Sequence, residues 1–101
     1  MIKNITAESF SAEVLHSSAP VLVDFWAPWC LPCRMLSPTL DALAKEQPQL
    51  LIAKVNVDEQ PELAARYGVM SIPTLMVMEN GQIKQQSSGL QSKNSIMKML
   101  A

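Results

Sequence analysis

The chain has 101 residues, 49% of them hydrophobic and 17% charged, with a net charge of −1. That balance excludes a disordered chain and gives no electrostatic case for nucleic acid or an anionic membrane as partner. No run of about 18 apolar residues could span a bilayer, and Met1-Ile2-Lys3-Asn4 lacks the basic start and long apolar stretch of a secretory signal. A single cytoplasmic domain over 1–101, working as a monomer, is expected.

In chain order, Ile2 to Ile5 alternates apolar and polar side chains and predicts a short strand at a sheet edge. Thr6 is placed to cap a first helix, with Ala7, Phe10 and Val14 as its buried stripe and an end before Ser17. His16, the only histidine, falls at that end as a solvated side chain. Val21 to Ala27 is too continuously apolar for a half-exposed strand and predicts a central one covered on both faces. A second helix is expected from about Cys33 to Gln47, with Met35, Leu36, Leu40, Leu43 and Ala44 inward and a kink at Pro38.

Leu50 to Val57 reads as a second interior strand, and Pro61 opens a short helix that Gly68 closes. Ile72-Pro73-Thr74 begins a strand through Met78. Asn80-Gly81 then turns it into a polar edge strand, Gln82 to Ser87. A last helix starts at Ser92 or Asn94 with Ile96, Met97 and Leu100 inward. Met76, Met78 and Met99 are assigned with Met35 and Met97 to core filling. The pattern is one α/β domain, with parallel crossovers first and an antiparallel hairpin last.

Both cysteines lie in Trp29-Cys30-Leu31-Pro32-Cys33-Arg34. A structural zinc site takes four ligands, and one pair plus a remote histidine does not supply them. Buried cysteines can be mere small hydrophobes. Position favours redox chemistry instead, because a pair at a helix N-terminus meets free N–H groups and peptide dipoles that favour a thiolate. In that geometry the first sulfur is expected to be exposed and the second shielded, making Cys30 the nucleophile and Cys33 the resolving thiol.

The run Val23-Asp24-Phe25-Trp26-Ala27-Pro28-Trp29-Cys30-Leu31-Pro32-Cys33-Arg34 resembles the active-site region of the thioredoxin family. The likeness continues through Ala53-Lys54-Val55-Asn56-Val57-Asp58, Tyr67-Gly68-Val69-Met70-Ser71-Ile72-Pro73-Thr74, Asn80-Gly81 and Gly89. It implies a thioredoxin fold, a central mixed sheet of about five strands flanked by four helices. It also implies reduction of disulfide-containing protein substrates by dithiol–disulfide exchange through Cys30 and Cys33, with no bound cofactor or metal. A separate thioredoxin reductase would supply electrons, so NADPH would be used only indirectly.

Asp24 shares a strand face with Leu22 and Trp26, so burial should raise its pKa. The resemblance makes it the buried acid that helps deprotonate Cys33, with Lys54 as its modulator; alone, Lys54 would read as a snorkelling surface lysine. Pro73 matches the family's cis-proline. Trp29, Leu31, Pro32, Met70, Ser71, Ile72 and Gly89 are implied as the substrate-docking patch around the sulfurs. Leu31 departs from the family, which usually carries glycine there, and so do Ser71 and Leu90, where small residues are common. Two other readings stay open: a dedicated or more oxidising thiol–disulfide protein of one pathway, and a redox-dependent binding module without turnover.

Overall fold

The computed structural model describes residues 1–101. Its elements run β1 (Ile2–Asn4), α1 (Ala7–Phe10), β2 (Val21–Trp26), α2 (Leu31–Glu46), β3 (Leu51–Asn56), α3 (Pro61–Arg66), β4 (Thr74–Glu79), β5 (Gln82–Ser88) and α4 (Lys93–Leu100). The five strands form one sheet in the order β1-β3-β2-β4-β5. β1, β3 and β2 are parallel to one another, whereas β4 runs antiparallel to β2 and pairs with β5 as a hairpin. The third crossover therefore reverses the chain rather than continuing the parallel series. The arrangement is a thioredoxin fold.

Strand parity decides the two faces of the sheet, because successive side chains point to opposite sides. On one face Val21, Val23 and Phe25 of β2 pack with Ala53, Val55, Met76 and Met78 against Phe10, Val14 and Leu63. On the other, Leu22, Ile52, Leu75 and Val77 pack against Leu36, Leu40 and Leu43 of α2 and Ile96 of α4. β2 is buried over its length except at Trp26, as its unbroken apolar run requires.

The local signals hold with specific adjustments. Thr6 caps α1 through Ser9 N–H, and the chain continues past Phe10 as a wider π-helical stretch, Ser11–Leu15. His16 is exposed at the end of it. Asn80 and Gly81 both take positive φ, 53° and 75°, which is what a tight hairpin turn demands. The polar residues Gln85 and Gln86 are explained by position: β5 is the outer strand and almost wholly exposed.

Two methionines assigned to the core are not in it. Met35 is 54% exposed and Met97 36%. On α2 the adjacent Leu36 takes the core position, and on α4 Ile96 is fully buried while Met99 packs half-buried at the cluster's edge. A helix of this amphipathicity has a stripe narrower than its total of apolar residues, so some of them must face water. α2 also begins at Leu31, two residues before Cys33, because Cys30 serves as N-cap and proline is tolerated in the first turn.

Candidate active site

The cysteines stand where β2 hands over to α2. Cys30 is the extended N-cap of the helix, with φ −86° and ψ 111°, and Leu31, Pro32 and Cys33 form the first turn. The two are joined as a disulfide with Cα atoms 5.3 Å apart. Cys33 N–H donates to Cys30 Sγ at 3.2 Å, so the cap bond that a serine or aspartate would normally accept is accepted here by sulfur. When the disulfide opens, the same N–H and the helix dipole are in place to stabilise a Cys30 thiolate.

Exposure does not separate the two sulfurs. Cys30 is 4% exposed and Cys33 6%, and both pack with Ala27 against half-buried Trp26, Val57 and Ile72. The expected difference is absent because the Ile72–Pro73 loop lies over the pair, with Cys30 Sγ 3.7 Å from the Ile72 carbonyl oxygen. What distinguishes Cys30 is its place as N-cap and acceptor.

Ile72–Pro73 is a cis peptide and Pro73 is buried. Gly89 N–H donates to the Pro73 carbonyl at 2.8 Å, bringing Gly89 to this loop from the end of β5. Ile72 takes no part in any backbone–backbone hydrogen bond. Trp29, Met70, Ser71 and Ile72 line an open cleft of about 180 Å³ together with Val57, Ala64 and Val69. Trp29 is 69% exposed and Met70 97%, so large apolar surface faces water beside the disulfide. Leu31 and Pro32 are exposed on the helical side of the same loop.

Asp24 follows Leu22 on the α2 face of β2 and is 2% exposed, with no hydrogen-bond partner for Oδ1. Burial pushes its pKa from 3.8 up to about 6, and Lys54 pulls the other way. Lys54 is Asp24's register neighbour on β3, but its Nζ sits 4.8 Å from the Trp26 ring centroid and makes no salt bridge with Asp24. It acts on the carboxyl through space rather than by contact. A polar cleft of about 300 Å³ opens around Lys54 and Trp26.

One partner escaped sequence reasoning. Asp58 Oδ2 accepts from Trp29 Nε1 at 2.9 Å and fixes the exposed indole. Asn56 Oδ1 accepts the N–H groups of Asp58 and Glu59, so the signal was an Asn–x–Asp turn after a strand. The largest cleft, about 360 Å³ between Pro20, Leu50, Met97 and Leu100, holds no nucleophilic or titratable side chain. It lies at the opposite end of β2 from the cysteines, so the chemistry, not the size, locates the site.

A family model described as thioredoxin matches residues 1–101. The chain belongs to the thioredoxin family. Among curated relatives it is 46% identical to a thioredoxin of Rickettsia bellii over 101 residues, covering 99% of this chain and 96% of the relative. It is 49% identical to one of Rickettsia prowazekii over 98 residues, 96% of this chain and 93% of that one. A thioredoxin of Streptomyces clavuligerus is 46% identical over 98 residues, 97% and 92% of the two chains. With its Cys30–Cys33 disulfide, this thioredoxin-family chain is a thiol–disulfide oxidoreductase acting on protein disulfides.

Proposed function

We propose that the chain, as one domain over 1–101, is a general reductant of protein disulfides in which Cys30 attacks and Cys33 resolves. The observation that carries this is the bond from Cys33 N–H to Cys30 Sγ at the N-terminus of α2. It lowers the cost of negative charge on one sulfur and not on the other.

In the dithiol form, the Cys30 thiolate attacks one sulfur of a substrate disulfide and expels the other as a thiolate. Cys30 and the substrate are then joined as a mixed disulfide. Cys33 gives up its proton and attacks Cys30 Sγ, releasing the second substrate thiol and closing the Cys30–Cys33 bond. Two electrons pass from the cysteine pair to the substrate. Asp24 is the base for Cys33: a carboxyl with a pKa of about 6 is ionised at neutral pH yet basic enough to take a proton. Burial raises that value, and Lys54 pulls it part of the way back from across the strand pair. The unpaired Ile72 backbone is free to bond an extended substrate, while Trp29, Leu31, Pro32, Met70, Ser71 and Gly89 cover the flanking side chains.

A thioredoxin reductase using NADPH would return the disulfide to the dithiol. This role belongs to a reducing compartment, the cytoplasm. No helix of the structure is long and apolar enough to cross a membrane.

Insulin reduction with dithiothreitol or a reductase tests turnover, and Cys33→Ser should accumulate a Cys30–substrate mixed disulfide while Cys30→Ser accumulates none. Trapping through Cys33 instead would reverse the two roles. The exposed side chain of Leu31, 62% accessible beside Cys30, favours one refinement, a narrower set of partners. Reduction by a cognate reductase rather than by glutathione would keep the general role.

A further inference from the structure

On α2 the residues Leu31, Arg34, Met35 and Pro38 fall at i, i+3, i+4 and i+7, which places them on one face of the helix. All four are exposed, Leu31 at 62% and Met35 at 54%. The opposite face carries Cys33, Leu36, Leu40 and Leu43 into the core. The solvent face is thus apolar over its first two turns except for Arg34. Farther along it becomes charged, with Asp41, Lys45 and Glu46 exposed. An apolar strip confined to the end of the helix that bears the cysteines has no structural purpose for α2, whose packing is complete without it.

We infer that the Leu31–Met35 strip is a specificity subsite for the segment around the substrate's target cysteine. It takes a large apolar side chain next to that cysteine, with an acidic residue beyond it. Two observations select this occupant. The strip is continuous with the reacting centre, since Leu31 directly follows the nucleophilic Cys30. Its one charge is also unpaired: Arg34 makes no salt bridge, and the first turn of α2 holds no acidic residue. An apolar strip with a free cation at its edge complements an apolar side chain followed by a carboxylate. The subsite lies on the helical side of Cys30, separate from the cleft between Trp29 and Met70.

The inference rests on the dithiol-exchange reading, and the test separates the two. Symmetric disulfides of short peptides carry Leu or Ser beside the cysteine, before it or after it, and Glu or Lys at the next position. The reduced protein converts each to two peptide thiols while Cys30 and Cys33 become the disulfide, and single-turnover rates are read by chromatography after acid quench. For one of the two placements the wild type should prefer Leu over Ser about tenfold, equivalent to about 1.4 kcal/mol. It should prefer Glu over Lys about threefold, a preference that added salt erodes. The double variant Leu31→Ser, Met35→Ser should lose the Leu preference and keep the Glu one, whereas Arg34→Gln should do the reverse.

Equal ratios in wild type and variants would overturn the subsite. So would a concentration-dependent dimer, seen by sedimentation, that the double variant abolishes, because the strip would then serve a second copy of this chain. Failure of the wild type to reduce any peptide would overturn dithiol exchange itself.

Discussion

Replacing Asp24 with Asn should stabilise the protein at neutral pH and slow its catalysis. The carboxyl has a pKa near 3.8 when solvated and about 6 when folded, because burial penalises its charge. Below pH 3.8 the folded and unfolded states both hold the proton, and the group contributes nothing. Between that value and about 6 the unfolded chain ionises while the native one does not, so folding takes up a proton and stability falls as pH rises. Above about 6 the cost is complete, about 3 kcal/mol at about 1.36 kcal/mol per pH unit. That is a large part of a typical domain stability of about 5–15 kcal/mol. Asparagine has the same shape and no charge, so the variant escapes the cost. Urea unfolding followed by tryptophan fluorescence at several pH values would measure it. The variant's advantage should be small near pH 4, grow through the window and level off at about 3 kcal/mol, with an unchanged denaturant slope. An advantage independent of pH would refute the argument, since a packing effect has no titration. In the same variant, reduction of a protein disulfide should slow near neutral pH; an unchanged rate across pH would remove Asp24 as the base.

Three further outcomes are expected. Lys54→Met removes the one charge that lowers the Asp24 pKa, so the pH window of both stability and activity should move upward; an unmoved carboxyl titration by NMR would count against through-space coupling. Leu31→Gly should change the reduction potential by up to about 30 mV, about 1.4 kcal/mol for a two-electron couple, on equilibration with a thiol buffer. Matching potentials and matching partner kinetics would leave Leu31 without a role. Leu36→Ala empties a fully buried position between α2 and the sheet and should cost about 2–5 kcal/mol in urea unfolding; a loss under about 1 kcal/mol would mean the site collapses freely.

By itself the sequence determined what depends on neighbours along the chain. Parity and apolar content marked β2 as a covered strand. The Asn80-Gly81 pair specified the hairpin, Thr6 the first cap, and the cysteine pair after β2 the redox pair at a helix start, while the last cap was open between Ser92 and Asn94 until the structure gave it to Ser92. These are local because backbone angles, cap bonds and strand alternation are settled within a few residues.

Only the tertiary structure decided what depends on what lies opposite. The direction of β4, the bond from Trp29 to Asp58 and the position of Ile72 over Cys30 join segments far apart in the chain. The cover over Cys30 follows from that last contact, and no spacing rule reports it. The same holds for Met35: helical periodicity offered it with Leu36 to the core, and the packing of α2 on the sheet took only Leu36. Lys54 is the converse case, a strand lysine whose meaning came from its register opposite Asp24. Local chemistry in this protein sets the cysteine pair at the start of a helix, and long-range packing sets the charge, cover and surface around it.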